Sequence, residues 1–373
     1  MKTPLEDELI GRIRSQGPMP FAAFMSLALY HPRHGYYSRG EQRLGWRGHF
    51  LTSPELDPAY AELWAKGFEE IWVATGAPSS FTVVELGPGE GSFAAALLAS
   101  VGGDFAAALD LALIERSSGA EAQQREVLSE FPRVRWAREI GELDRIEAGC
   151  VFANEVLDNL PVHLVENHDG EISEVVVDLE GDRLTTALRP PSNPALTTFL
   201  HELGVRLPPG YRYEVGLAAR SLIARAAAVL ETGVLIFVDY GDTAVELAKR
   251  PDGTLVSYSA SGVDDRVLER PGEKDITSHA NWSSVSEAAR AAGWSVTGPR
   301  SQRSVLQKLG LDDLHRRLRE EHDAAIADKK GAIAMRALSR RQALGALADP
   351  EGLGGLGVVT ATRAIERPPF MSP

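Results

Sequence analysis

The chain has 373 residues, 44% hydrophobic and 24% charged, which is enough apolar material for one elaborated domain or two and too much for a disordered chain. A net charge of -13 disfavours non-specific binding to a phosphate backbone, and the single cysteine, Cys150, excludes an internal disulfide and any cysteine-cluster metal site. No apolar run approaches the ~20 residues of a membrane span and no hydrophobic leader follows Met1, so the expectation is a soluble, unprocessed, cytoplasmic protein with no metal, no nucleic-acid partner and no membrane partner.

In chain order, residues 3 to 15 read as a helix with Thr3 as N-cap, Pro4 in the first turn and Leu5, Leu9, Ile10 and Ile13 on one face. It is expected to pack as a lid or brace. The stretch from Pro18 to Tyr37 carries aromatics, His31 and His34 around a Pro/Gly turn. It reads as a structural aromatic cluster, because two histidines without a third ligand make a poor metal site. Gly48 to Glu55 is polar and loop-like, and Thr52 or Ser53 caps a helix whose apolar positions Tyr60, Leu63, Trp64, Phe68, Ile71 and Trp72 recur at helical spacing. The spacing leaves open whether this is only a capped helix or a cover over a ligand.

Phe81-Thr-Val-Val-Glu85-Leu-Gly87-Pro-Gly89-Glu-Gly91-Ser92 then reads as strand, tight glycine turn and helix, with a ligand against bare backbone at the turn. The spacing is not the G-x-G-x-x-G of dinucleotide sites, and no lysine follows as in a P-loop. Glu85, two residues before the first glycine, would repel a pyrophosphate and suits a ligand carrying an amine or sulfonium. The pattern resembles motif I of class I S-adenosyl-L-methionine methyltransferases.

Leu109 to Ile114 is a second strand ending in Glu115, placed to grip a ribose diol, and Gln123 and Gln124 lie on the following helix. Val134 to Ala137 is a third strand. Arg138, Glu139 and Ile140 follow at its end, where adenine lies in such sheets, and the sequence does not choose among them. Gly149 to Ala153, the fourth strand, delivers Asn154, Glu155 and Asp158 to the crevice. Given a helical turn there, Glu155 and Asp158 share a face.

Alternating runs from Val162 to Leu188, with turns at Asn167-His-Asp-Gly and Glu180-Gly-Asp, read as an antiparallel insertion. A helix over Leu217 to Glu231 precedes a buried fifth strand, Gly233 to Asp239, with another polar tip at the crevice. Thr254 to Ala280 reads as a long ordered loop. Ser283 to Ala292 is a helix, Trp294 to Thr297 a strand, Val305 to Leu347 two charged helices interrupted near Gly331, and Leu356 to Ala364 the closing strand.

The ordered set Leu29-Tyr-His-Pro, Gly35-Tyr-Tyr, Phe50-Leu-Thr-Ser-Pro-Glu55, Glu85 to Gly91, Ile114-Glu115-Arg-Ser with Gln124, Asn154-Glu-Val-Leu-Asp158-Asn-Leu-Pro161, Asp239-Tyr-Gly241 and Pro271 to Thr277 resembles the MidA-like S-adenosyl-L-methionine-dependent methyltransferases. That is the family of the mitochondrial complex I assembly factor that methylates arginine. The resemblance implies an α/β class I methyltransferase (Rossmann-like) fold, a doubly wound sheet with an N-terminal helical lid over residues 1–75. The domain itself covers 76–373, with insertions near 162–230, 253–281 and 303–349. S-adenosyl-L-methionine is the implied cofactor, with Thr52, Pro54, Glu55, Glu85, Gly87, Pro88, Gly89, Gly91, Glu115, Gln124 and Asn154 as its binding set. A protein arginine is the implied acceptor. A small-molecule O- or N-acceptor and a binding factor without turnover are the alternatives, and a homodimer is one assembly to test. The Asn154–Asp158 segment is the implied transfer site, and Asn154, Glu155, Asp158 and His279 are the catalytic candidates. The acceptor side departs from the usual pattern: His49 replaces an aspartate, Ser257-Tyr-Ser-Ala260 replaces a basic run, and His279-Ala-Asn281-Trp282 replaces His-Val-Asp-Phe.

Methyl transfer is an in-line displacement that depends mainly on alignment. For a guanidinium acceptor, Glu155 and Asp158 could bind it bidentately. For a hydroxyl acceptor, His279 or His49 is the better base, because imidazole titrates near neutrality.

Overall fold

The computed structural model describes residues 2–38 and 52–371. His49, and with it the Gly48 to Leu51 part of the expected covering loop, lies outside the described residues.

The strand Phe81–Leu86 is buried along its whole length, as a strand paired on both sides and covered on both faces must be. It sits within a seven-stranded sheet in the order 295–301, 357–363, 230–239, 146–154, 81–86, 109–114, 134–137. The last five are mutually parallel; 357–363 pairs antiparallel with 230–239, and the edge strand 295–301 pairs antiparallel with 357–363. Register brings the strand tips level: Leu86 lies opposite Ile114 and Ala153, and Val238 opposite Asn154. Chain order reverses at Phe81–Leu86, whose neighbours are the second and fourth parallel strands, so a crevice opens there at the carboxyl ends.

Helices cover both faces. On one, Ala59–Ala74 and Ser92–Ser100 bring Tyr60, Trp64, Phe68 and Phe93 onto Phe152, with ring centroids 4.9 Å apart for Trp64 and 5.0 Å for Phe93. Cys150 lies in this layer, and burial pushes its thiol pKa well up. On the other, Leu217–Val229 and Trp282–Ala291 pack Ile223, Ala226, Trp282 and Val285 against the sheet. This is the doubly wound α/β class expected.

The N-terminal helix Pro4–Gln16 is capped by Thr3, whose Oγ1 accepts from Glu6 N at 3.1 Å, and it buries Leu5, Leu9, Ile10 and Ile13. That stripe packs with the helix Phe21–Tyr30 against an inserted antiparallel sheet. The sheet is built from His163–His168, Glu171–Glu180, Arg183–Arg189 and Arg212–Val215, with Met19–Pro20 paired to it.

Several local expectations are corrected. The helix after Thr52 is two helices, Ser53–Leu56 and Ala59–Ala74. Pro58 disfavours helical geometry at Asp57, which is extended at φ -163 and caps the second helix through Oδ1 to Ala59 N at 2.8 Å. Tyr211 to Glu214, to which the sequence assigns no strand, is mostly the strand Arg212–Val215. The loop read over Thr254 to Ala280 contains a small sheet of Val256–Ser259, Gly262–Asp264 and Asp275–Thr277. Its staple is the buried Lys274, whose Nζ lies 2.7 and 2.8 Å from the Asp264 oxygens and 3.2 Å from Arg266 O. Residues 302–347 form three helices, because Gly310 breaks the pattern at φ +100.

Candidate functional site

A cavity of about 810 Å³ opens at the crevice. Glu85, Gly87, Pro88 and Gly89 lie on its wall, where Gly87 and Gly89 take φ +62 and +55, a region a β-carbon disfavours. A Cβ on Gly87 would also meet Val156 Cγ2 at 3.0 Å. Gly91 and Gln124 stand behind the wall. Gly91 caps the helix Ser92–Ser100 at φ +85, and a Cβ on it would lie 3.3 Å from Gln124 Cγ. Gln124 Nε2 donates to Gly89 O at 2.8 Å and Glu115 Oε2 at 3.2 Å, while its Oε1 accepts from Trp136 Nε1 at 3.1 Å. Gln124 thus ties the glycine turn to Glu115. Glu115 lines the cavity and is oriented by Ser117 N, which donates to its Oε1 at 2.7 Å. Arg138, Glu139 and Ile140 all line the same cavity.

Acids dominate the wall. Glu55, Glu85, Glu115, Glu155, Asp158 and Asp275 line it. Among the described residues, Glu85 Oε2 and Asp158 Oδ1 are buried without a hydrogen-bond partner. Burial pushes Glu85 up to about 8. Burial first, and then the charge of Asp239, pushes Glu155 up to about 8 as well. Asp158 lies well above the usual carboxylate range through burial and through Asp239, Asp275 and Glu155. Burial also raises Glu115. Such a wall disfavours its own ionisation and would be relieved by a cationic ligand group.

Asn154 ends the strand Ile146–Asn154. Its Oδ1 is 2.6 Å from Tyr60 Oη, which is 2.9 Å from Gln302 Oε1, and Gln302 Nε2 donates to Ser53 Oγ at 2.9 Å. Glu155 Oε1 accepts from Asn154 Nδ2 at 2.9 Å and Ser53 N at 3.3 Å. The short helix carrying Pro54 and Glu55 is therefore tied to the strand tip, and Thr52, Pro54 and Glu55 all face the cavity. No helical turn follows Asn154: Glu155 takes φ +52 and residues 155–160 form a turn. Glu155 and Asp158 both line the cavity, although not as neighbours on a helix face. Asp239, expected as a polar tip in the crevice, instead points back under this turn and accepts the amides of Val156, Leu157 and Asp158.

Tyr30, Tyr37, Tyr240 and Tyr258 form part of the wall with Asp158 and Asp275. Tyr37 Oη donates to Asp275 Oδ2 at 2.9 Å and lies 3.0 Å from Asn159 Oδ1. Asn159 Nδ2 donates to Asp275 Oδ1 at 3.0 Å. The sequence places Tyr30 and Tyr37 in a structural aromatic cluster, Tyr240 in the Asp239-Tyr-Gly241 motif and Tyr258 in the stretch that replaces a basic run, and nothing in it brings the four together. Tyr60 and Gln302 carried no local signal. His279 lines the cavity, its N donates to Thr254 Oγ1 at 2.9 Å, and its Nδ1 is buried without a partner among the described residues. Burial, then Arg250, lowers its pKa, which favours the neutral ring. His31 and His34 stack at 5.3 Å, and His31 Nδ1 accepts from the amides of Arg33 and His34, as a structural turn would have it.

A family model described as "Putative S-adenosyl-L-methionine-dependent methyltransferase" matches residues 63–300. The mitochondrial protein arginine methyltransferase NDUFAF7 of Bos taurus is 28% identical over 338 residues, 83% of this chain and 74% of that one. Its Drosophila melanogaster homolog is 26% identical over 346 residues, 82% and 74% of the two chains. Among solved structures, a Burkholderia thailandensis protein bound to S-adenosyl-homocysteine superposes with a TM-score of 0.85 at 30% identity, over 98% of this chain and 94% of that one. A native structure of a protein from the same organism gives 0.82 at 28% identity, over 98% and 93%. The expectation of a cytoplasmic protein is overturned here, because the curated relatives are named as mitochondrial. No helix of the described residues is long and apolar enough to cross a membrane.

Proposed function

Because this chain belongs to the MidA-like family of S-adenosyl-L-methionine-dependent methyltransferases, we propose that the acceptor it methylates is the guanidinium of a protein arginine. Family membership makes it an enzyme with the class I methyltransferase fold and S-adenosyl-L-methionine as cofactor, which sets aside the reading of a binding factor without turnover.

The observation that carries the proposal is the cation-receptive end of the cavity: Glu155 and Asp158 beside Tyr30, Tyr37, Tyr240 and Tyr258, with Asp158 Oδ1 buried and partnerless among the described residues. Relatives named for arginine methylation support it.

The residues present fit the cofactor. The orphaned Glu85 Oε2 suits its α-amine, the bare backbone of Gly87, Pro88 and Gly89 suits close approach of its methionine half, and Glu115 suits the ribose diol. Thr52, Pro54 and Glu55 would cover it, Asn154 would hold that cover through Tyr60 and Glu155, and Gly91 and Gln124 would brace the turn from behind. Bound there, the cofactor supplies an electrophilic sulfonium methyl. Asp158 and Glu155 would hold the guanidinium and orient one of its nitrogens for transfer. Glu155, made more basic by burial, would take the proton that the methylated nitrogen releases. The helices of residues 1–75 serve as the lid, a role supported by Tyr30 and Tyr37 on the cavity wall.

A second reading, a small-molecule O- or N-acceptor, is favoured by the neutral, partnerless His279 Nδ1. Incubation with methyl-labelled cofactor and lysate separates the two. Label released as methylarginine from a protein band is expected, and label confined to small molecules would overturn the arginine proposal.

A further inference from the structure

Asp239 closes the strand Leu230–Asp239 and is fully buried. Its Oδ2 accepts from three successive amides, Val156 at 3.2 Å, Leu157 at 2.8 Å and Asp158 at 3.2 Å, and its Oδ1 accepts from Tyr240 N at 2.8 Å. The Glu155 amide donates to Val238 O at 2.8 Å, so one strand end clamps the whole segment that carries Glu155 and Asp158. Glu155 meanwhile keeps φ +52, a conformation its β-carbon disfavours and that persists only where surroundings over-determine it.

We propose that Asp239 is a positioning residue for methyl transfer: its carboxylate gathers the 156–158 amides into a nest that turns Glu155 and Asp158 into the cavity. Stability alone does not call for an acid here. A buried carboxylate beside Glu155 and Asp158 adds like-charge repulsion, and a neutral acceptor would avoid it. What the charged form adds is a stronger hold on several amides at once, which fixes where the two cavity acids point.

The inference rests on the methyltransferase activity and not on which acceptor is used. Its test compares Asp239→Asn and Asp239→Ala in the full chain by three readouts: S-adenosyl-homocysteine affinity, amide exchange of the peptide spanning 154–160 against the rest of the sheet, and transfer of label to whichever fraction the parent protein labels. The expectation is S-adenosyl-homocysteine affinity within about threefold of the parent, because Glu85 and the glycine turn are untouched. Exchange should accelerate at 156–158 only. Turnover should fall about tenfold in the asparagine variant, which keeps an acceptor oxygen, and about a hundredfold in the alanine variant, mainly in kcat. Turnover within threefold of the parent in a folded alanine variant would overturn the proposal. So would exchange that rises throughout the sheet while ligand affinity and turnover fall in parallel in the asparagine variant. If the parent labels only small molecules, the arginine acceptor fails while these comparisons still decide the role of Asp239.

Discussion

Replacing Glu85 by glutamine should stabilise the unliganded protein and weaken its hold on the cofactor, two effects of opposite sign from one carboxylate. Glu85 is only 5% exposed, and burial alone raises it from 4.5 to about 8. Its folded pKa exceeds its unfolded value, so between about pH 4.5 and 8 the folded state binds more protons and stability falls as pH rises. At 1.36 kcal/mol per unit, the shift amounts to about 5 kcal/mol of destabilisation above pH 8. Glutamine removes that pH-dependent loss. The same change takes away the charge proposed to pair with the cofactor amine, which should cost about 3 kcal/mol, or more than a hundredfold in Kd. Denaturant melts at pH 6 and 8.5 and titration calorimetry with S-adenosyl-homocysteine measure both. The gap between variant and parent stability should widen with pH in the variant's favour. A variant less stable than the parent at pH 8.5, or one that binds the ligand equally well, would refute the reasoning.

Gly87→Ala places a β-carbon at φ +62 and 3.0 Å from Val156 Cγ2, and should cost about 1–2 kcal/mol in a thermal melt together with a loss of S-adenosyl-homocysteine affinity. Gln124→Ala releases both Gly89 O and Glu115 Oε2, and should weaken ligand binding about tenfold while leaving kcat at saturating cofactor near the parent value. Glu155 must be ionised to take a proton and burial holds it near 8, so kcat should climb from pH 6 to 8. Glu155→Gln should abolish that climb and most of the turnover while S-adenosyl-homocysteine still binds.

The parts of the fold that were legible are those whose signal is local. Phe81–Leu86 and Leu109–Ile114 stand within a residue of the expected bounds because a buried parallel strand reads as a short apolar run closed by a turn, and the acid after the second run marks its tip. The N-terminal stripe of Leu5, Leu9, Ile10 and Ile13 was equally plain at helical period. The break at Pro58 was missed because the apolar positions, Tyr60 onward, all lie beyond it and were joined across it to the cap at Thr52 or Ser53. The small sheet over 256–277 was read as loop because its strands are three or four residues long and its staple, Lys274 to Asp264, is a tertiary ion pair. Within the site, residue types at strand tips located Glu85, Glu115, Asn154, Glu155 and Asp158 on the cavity side. Side-chain direction was not legible: Asp239 turns beneath the backbone and Gln124 stands behind it. The link from Gln302 through Tyr60 to Asn154 crosses 242 residues of sequence.

The central claim, that this methyltransferase acts on arginine, is tested most directly by acid hydrolysis of protein labelled with methyl-tritiated cofactor, followed by chromatography against methylarginine standards. The account predicts label eluting as methylarginine, absent when Asp158→Ala replaces the parent protein. Label recovered on any other amino acid, or only in the small-molecule fraction, would contradict it.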